Sequence, residues 1–310
     1  MRRLAALLTL LSAAPAGAET LTVMSFNIWG GGGNEGKDIS QTVAAIRASG
    51  ADVVGVQETR LEGEACTADA CPPTGASVAA AIAAALGWHV HDQTAENPAL
   101  WANAVISRYP IGAVSANDLG VQLDVNGTPV WLFNIHHDDE PYQPYQVLGI
   151  EYGPAPFVKT AAEAEGFARD TRGPAMDLLM ADMAVAGDAV TLVTGDFNEP
   201  SYLDWTPEAV AAGQQPLAVM WPTTLRLTEA GFTDAYRAVY PDPVAKPAFT
   251  WTPMGDEADP EDHPDRIDFV FVRGARVTAA SIVGETGPRS DIALDPWPAD
   301  HRAVVATIAF

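Results

Sequence analysis

A carboxylate and a carboxamide two residues apart, Asp196 and Asn198, lie in the run Thr194-Gly195-Asp196-Phe197-Asn198-Glu199-Pro200. The run follows Ala189-Val190-Thr191-Leu192-Val193, a short β-branched apolar stretch that reads as a buried strand. Pro200 stops that strand from continuing. Alternation sends Asp196 and Asn198 to one side and Phe197 to the other. Alone, this is an Asp/Asn turn. It gains weight because other strands end in residues of the same kind. Asp52-Val53-Val54-Gly55-Val56-Gln57 runs apolar into Glu58, a carboxylate that is either solvated at a sheet edge or holding a cation. Asn27 lies near the end of an apolar run over residues 21–29. His136 ends the strand pattern of residues 130–137, with Asn134 on the same side; its imidazole could protonate a leaving oxygen or hydrogen-bond a phosphoryl oxygen. Asp268 is an inward carboxylate near the start of the strand over 266–272, and Asp300-His301, an acid/base pair, leads into a closing strand at 303–308. Carboxylates, amides and imidazoles at strand ends are what metal-dependent phosphoester hydrolysis uses.

Four further features have two readings each. Arg108 follows the strand over 100–106 and either pairs with a phosphate or forms a surface ion pair. Gly30 to Gly33 either present backbone N–H groups to an anion or form a turn. His89 and His91 point the same way on a strand and could bind a metal, but no third ligand is in register. Cys66 and Cys71 sit in a loop-like stretch and are expected to form a disulfide that pins that loop, since a metal site would need more ligands.

Composition bounds the class. The chain has 310 residues, 48% of them apolar, enough for one large core. Its net charge is −23, and there are only three lysines, Lys37, Lys159 and Lys246. Such a surface repels nucleic acid and anionic membranes at a distance, while a bound divalent cation reverses the sign locally. Arg2 and Arg3 precede the apolar run 4–11 and then Ala16-Gly17-Ala18. Residues 1–18 therefore read as a cleavable signal peptide, with a single domain over 19–310, and the protein is expected in the periplasm or outside the cell. The run is too short to span a membrane, and no later segment is long enough. A monomer is expected.

The elements that must position these residues alternate strand and helix. Residues 40–49 read as a helix capped by Ser40 and stopped by Gly50, and residues 75–86 as a helix stopped by Gly87. Residues 160–183 are mostly helical with a break expected at Gly173-Pro174. Two irregular stretches are expected to wall a pocket: 138–157, with Tyr142, Tyr145 and Tyr152, and 201–224, with Trp205 and Trp221. Residues 249–252 read as a packing segment.

Taken in order, Phe26-Asn27, Gln57-Glu58-Thr59, Ile135-His136, Gly195-Asp196-Phe197-Asn198, Arg266-Ile267-Asp268 and Asp300-His301 resemble the motifs of the endonuclease/exonuclease/phosphatase superfamily, in a secreted bacterial form. Ala299 departs from the serine that usually precedes Asp-His there. The resemblance implies an α/β fold, a four-layer αββα sandwich of two mixed sheets flanked by helices. It implies Mg²⁺ or Mn²⁺ held by Glu58 with Asn27 and Asp300, and in-line attack of water on phosphorus. Asp196 would orient and deprotonate the water with Asn198; His301, oriented by Asp268, would bind the phosphoryl group or serve as the base instead. His136 would stabilise charge or protonate the leaving group, and Asn27, Arg108, His136 and His301 would contact the phosphate. The expected substrate is a small or medium phosphoester, diester or monoester, with long nucleic acid disfavoured by the acidic surface. A secreted nuclease and a non-catalytic binding protein on the same fold are the alternatives; a serine hydrolase has no Gly-x-Ser-x-Gly motif to rest on.

Overall fold

The computed structural model describes residues 19–62, 73–253 and 255–310. The expected signal peptide and the Cys66–Cys71 pair lie outside the described residues. The strands, in order, are β1 (Thr20–Asn27), β2 (Val53–Gln57), β3 (Leu61–Glu62), β4 (Pro73–Thr74), β5 (His89–Asp92), β6 (Ala104–Ser107), β7 (Ile111–Val114), β8 (Gly120–Val125), β9 (Thr128–His136), β10 (Val190–Asp196), β11 (Thr233–Asp234), β12 (Asp268–Arg273), β13 (Arg276–Glu285), β14 (Ile292–Leu294) and β15 (Ala303–Ala309). The α-helices are α1 (Ile39–Ser49), α2 (Ala79–Leu86), α3 (Gln143–Leu148), α4 (Ala161–Asp182), α5 (Pro207–Ala211), α6 (Pro222–Glu229) and α7 (Ala235–Val239).

Two mixed sheets form, one ordered β14-β13-β15-β1-β2-β6-β5 and the other β11-β12-β10-β9-β8-β7. Alternation decides what lies between them. Leu21, Val23, Val53, Leu132, Leu192, Val270, Val272 and Val304 share one buried cluster between the sheets. Their neighbours along the same strands face outward. Met24, Phe26, Val54 and Val56 pack under Val43 and Ile46 of α1 and Ile82 of α2. Phe133, Val193, Phe269 and Phe271 pack under Met176 and Leu179 of α4. The result is the expected αββα sandwich.

The inner faces change character along their length. Leu21 and Val23 give way to Ser25 and Asn27; Val53 to Gly55 and Gln57; Leu132 to Asn134 and His136; Leu192 to Thr194 and Asp196. The parallel pairs β1–β2 and β9–β10 finish together, with Asn27 beside Gln57 and His136 beside Asp196. Antiparallel β12 starts at that end, with Asp268 beside Asp196. One end of the sandwich is thus polar between the sheets.

A buried network joins the sheets beneath that end. Gln57 Nε2 donates to Asn134 Oδ1 at 2.6 Å, and Thr194 Oγ1 donates to the same oxygen at 3.1 Å. Asn134 Nδ2 donates to Gln93 Oε1 at 3.0 Å and to the Val56 carbonyl at 3.0 Å. The Gly195 N–H donates across the gap to Ser25 Oγ at 2.9 Å. Gly55 makes room for this layer: a Cβ there would lie 2.0 Å from Thr194 Oγ1 and 2.5 Å from Asn134 Oδ1.

Several helix boundaries differ from expectation. Asp38 caps α1, its side chain accepting the Ser40 N–H, so Ser40 is not the cap. The second helix begins at Ala79 rather than at 75. Helix α4 runs through Pro174 without the expected break, because Ala175, Met176 and Leu179 pack it onto the second sheet beside the ring's missing N–H. Trp205 and Trp221, expected to wall a pocket, are buried and pack edge to face at 5.1 Å in a satellite cluster with Val158 and Val219.

Replacing Gly55 by Ala should lower stability by roughly 3 kcal/mol, the upper range for overpacking. Thermal unfolding of Gly55→Ala should fall several degrees below the wild type, while Gly33→Ala, which meets nothing within 4 Å, should stay close to it. Equal melting temperatures would show that the sheets do not depend on this layer.

Candidate active site

The site begins with Asp196, the last residue of β10. Its Oδ2 accepts from Asn27 Nδ2 at 3.0 Å, and His301 Nε2 and His136 Nε2 stand 3.6 and 3.7 Å from the same oxygen. Its Oδ1 accepts the Asn198 N–H at 2.9 Å. One carboxylate therefore gathers groups from both sheets. Asn198 has φ 46°, a left-handed turn that brings its N–H back to Asp196, and its Nδ2 donates to the His137 carbonyl at 2.9 Å.

Glu58 is held from the opposite sheet. Its Oε1 accepts from Asn27 Nδ2 at 2.8 Å and its Oε2 accepts the Gly30 N–H at 2.8 Å. Gly31 N–H donates to the Glu58 carbonyl at 2.7 Å. Glu58 itself has φ 58°, while Gly30 and Gly31 have φ 54° and 73°, values a side chain rarely adopts. Of the two readings of the glycine run, the turn holds: the Gly30 N–H meets the Glu58 carboxylate and the Gly31 N–H meets its backbone carbonyl. Asn27 Oδ1 accepts the Trp29 N–H at 3.0 Å, so Asn27 is fixed at both ends of its amide.

His301 comes from the approach to β15. Its Nδ1 lies 2.9 Å from Asp268 Oδ2, which orients Nε2 toward Asp196. Trp297 Nε1 donates to the His301 carbonyl at 2.9 Å. Burial opposes a charge on this imidazole, yet Asp268, Asp196 and Asp300 outweigh it and hold its pKa well above the ordinary histidine range. Burial raises Asp268 in turn, against the pull of His301. Burial also pushes Asp300 up to about 6, with His301 opposing and Glu58 adding repulsion. On the far side, His137 is driven down to about 3 by burial, so it stays neutral behind the site.

The donor set fits a hard divalent cation. Asp300 Oδ1 is buried with no hydrogen-bond partner, and the repulsion it shares with Glu58 is what a cation would relieve. Glu58 and Asp300 would hold the ion, with the second lone pair of Asn27 Oδ1 beside them. Asp196, Asp268 and His301 also lie within 4.8 Å of one another. A ligand there would have to break the His301–Asp268 hydrogen bond, so that trio handles protons or phosphate better than metal.

Two sequence candidates fall outside the cluster. Strand β6 runs antiparallel to β2, with Ser107 beside Val53, so Arg108 stands at the far end from Glu58. There it pairs with Asp52 at 3.2 Å and lies over the Trp88 ring. His91 Nε2 meets Asp118 Oδ1 at 2.6 Å, a structural pair rather than a metal site. Conversely, sequence reading passed over Trp251. It bridges to His301 in the backbone and, with Asp139, Tyr142, Tyr152 and Asn198, lines a cleft against the site. No local pattern marks it, because the segment 249–252 meets the site only through tertiary pairing.

A four-layer sandwich with a carboxylate, amide and imidazole cluster at one end of its sheets defines a phosphoester-hydrolase class. The Endonuclease/Exonuclease/phosphatase family profile matches residues 24–301, and the chain belongs to that family, whose members hydrolyse phosphoester bonds. A Caenorhabditis elegans protein described as uncharacterized protein F14F9.5 is 26% identical, covering 94% of this chain and 91% of its own. Among solved structures, truncated Caenorhabditis elegans TDP2 superposes with TM-score 0.53 at 17% identity, covering 94% of this chain and 98% of that one. An AP endonuclease from Archaeoglobus fulgidus does so at TM-score 0.51 and 15% identity, covering 92% and 98%. A variant of the 3' phosphatase NExo from Neisseria, bound to product DNA hairpin, gives TM-score 0.52 at 17% identity, covering 92% and 98%. At these identities the structural likeness establishes the fold.

Replacing Asp268 by Asn removes the nearest charge that supports the imidazolium. In an NMR pH titration of ring protons, the pKa of His301 should fall by more than about one unit toward the usual value near 6.5. An unchanged titration would mean that Asp268 does not set the charge of His301.

Proposed function

We propose that the protein is an exported, Mg²⁺- or Mn²⁺-dependent phosphoesterase that hydrolyses a small or medium phosphodiester or phosphomonoester. The carrying observation is the convergence on Asp196 Oδ2 of Asn27 at 3.0 Å, His301 at 3.6 Å and His136 at 3.7 Å, with Glu58 on the same Asn27 amide. A cation held by Glu58 and Asp300 would neutralise developing charge on a phosphoryl oxygen. Asp196 takes the proton of the attacking water. Asn198 keeps its carboxylate oriented through the Oδ1 hydrogen bond. His301, pointed by Asp268, binds a phosphoryl oxygen with Nε2. As the bond from phosphorus to the leaving oxygen breaks, His136 delivers a proton to that oxygen.

Export rests on the leader-like residues 1–18, and the domain is tied together just after them: Glu19 N–H donates to the Phe310 carbonyl at 3.0 Å. The Cys66–Cys71 disulfide belongs to the same reading. Among the described residues, no helix is long and apolar enough to cross a membrane. A net charge of −23 supports a substrate smaller than long nucleic acid. A nuclease reading keeps its support from the DNA-bound neighbour and is an outcome of the test.

Purified residues 19–310 should cleave bis-p-nitrophenyl phosphate or p-nitrophenyl phosphate with Mg²⁺ or Mn²⁺ and lose that activity in EDTA. Asp196→Ala and His301→Ala should each lose about 10²–10⁴-fold in kcat while melting near the wild type. Glu58→Gln should need at least about tenfold more metal for half-maximal rate. Full activity in EDTA, or in Asp196→Ala, would overturn the assignment; efficient, salt-insensitive cleavage of plasmid DNA would favour the nuclease.

A further inference from the structure

Behind the Asp196 turn, α4 carries a charge that the chemistry above does not use. Arg172 is only 1% exposed. It shares a helix face with Ala175, Met176 and Leu179, which pack on the second sheet. Arginine is rarely so buried unless its charge and its donors are met. Its fork reaches the chain that leaves β9. Nη2 donates to the carbonyls of Asp139 and Pro141, each at 3.4 Å, and Nη1 donates to Gln143 Oε1. Gln143, itself buried, returns to the same stretch by donating Nε2 to the Pro141 carbonyl at 2.7 Å.

The opposite charge comes from the chain that leaves β10. Glu199 follows Asn198 directly and is fully buried. Burial raises its pKa, and Arg172 is the charge that most opposes this. Burial likewise lowers the pKa of Arg172, and Glu199 is the charge that most opposes that. The Thr223 N–H and hydroxyl donate to Glu199 Oε1 at 2.8 and 2.7 Å, which fixes the carboxylate against the start of α6.

His137 links the two stretches. Its N–H donates to the Asp196 carbonyl at 3.1 Å, and its carbonyl accepts from Asn198 Nδ2 at 2.9 Å. Its ring lies edge to face with Phe197, centroids 5.4 Å apart, and among the described residues neither ring nitrogen has a hydrogen-bond partner. The ring supplies shape, and the backbone carries the link. Two residues further on, that backbone is anchored on Arg172 through the Asp139 carbonyl. The β9–β10 ladder ends with His136 beside Asp196. Past that pair, the geometry of the site depends on what grips the two tails.

We propose that Arg172 is a positioning residue for the hydrolysis: its guanidinium clamps the tails of β9 and β10 to each other, and that clamp holds His136 and Asn198 in place on Asp196. This rests on the phosphoesterase reading above. A planar fork can meet several acceptors on one tail while its charge answers a carboxylate on the other, which the single point charge of lysine cannot reproduce. Glu58 and Asp300 belong to the opposite sheet, so the clamp sets rate and leaves metal affinity alone.

Removing Arg172 by itself leaves Glu199 buried without its counter-charge. Three variants of residues 19–310 are therefore compared: Arg172→Lys, Arg172→Gln, and Arg172→Gln combined with Glu199→Gln, which buries no charge. The first measurement needs no substrate. Amide hydrogen exchange is followed by NMR at His137 and Asn198, whose N–H groups bond to Asp196, and at Leu132 and Leu192 in the core between the sheets. In both variants carrying Arg172→Gln, His137 and Asn198 should gain about tenfold or more in exchange rate relative to the two leucines. The second measurement is kinetic, with bis-p-nitrophenyl phosphate or p-nitrophenyl phosphate. In the double variant kcat should fall about tenfold or more, while KM and the metal concentration for half-maximal rate stay within about twofold of the wild type. Arg172→Lys should lie between. Equal acceleration of exchange at all four amides, or none, overturns the proposal, as does selective exchange with an unchanged kcat. A rise in metal requirement matching the loss in kcat would place the effect on the cation and overturn it as well. Selective exchange in a protein whose wild type turns over no ester would sink the phosphoesterase reading and leave the clamp standing.

Discussion

The hydrogen bond from Gln57 Nε2 to Asn134 Oδ1, 2.6 Å long, crosses from one sheet to the other beneath the candidate site. Everything above it depends on that crossing. Two packed sheets are about 10 Å apart, a gap normally filled by interdigitating apolar side chains. A polar site cut into that gap would let water in or pull the sheets out of register. Here Asn134 spends both ends of its amide on Gln57, Thr194, Gln93 and the Val56 carbonyl. Gln57 Oε1 is the one atom of this residue left without a partner, and the remaining bonds of the layer form the floor on which Asp196 and Asn27, from opposite sheets, meet at 3.0 Å.

Above this floor the site is electrostatically unbalanced by the positions of its groups. Glu58, Asp196, Asp268 and Asp300 crowd around the ends of β1, β10, β12 and the approach to β15. One imidazolium, His301, answers part of that charge, which is why its proton is held so firmly despite burial. Asp300 is left less well served: one oxygen is unpartnered and the group titrates at about 6. A buried carboxylate in that condition costs several kcal/mol unless a cation joins it. The protein therefore carries stored repulsion at the place where a divalent ion and a phosphoryl group would discharge it.

The sequence already displayed most of this, and the reasons are local. Strand ends announce themselves through alternation, so His136 could be set on the side of Asn134, Asp196 opposite Phe197, and Asp268 facing inward without coordinates. Helix stops at Gly50 and Gly87 follow from left-handed backbone, φ 70° and 74°. What failed was tertiary. Arg108 is a residue at a strand end like the others, but strand direction decides which end, and β6 runs the wrong way. Trp205 and Trp221 looked like pocket walls because aromatics in irregular segments often are; their burial in a cluster with Ala164 and Ala168 of α4 was invisible. Trp251 was the converse, a wall residue that reads as packing. The glycine run proved to serve Glu58, a partner 28 residues away through the Gly30 N–H.

Charge separates the far field of the molecule from its near field. With a net charge of −23, the surface repels a dianionic ester once it comes within about a Debye length, roughly 8–10 Å at physiological ionic strength. A cation held between Glu58 and Asp300 would reverse the sign over only the last few ångströms, so it would hold a phosphate without recruiting one. The acidic surface therefore turns polyanions away at long range and leaves the capture of a phosphate to contacts made inside the site.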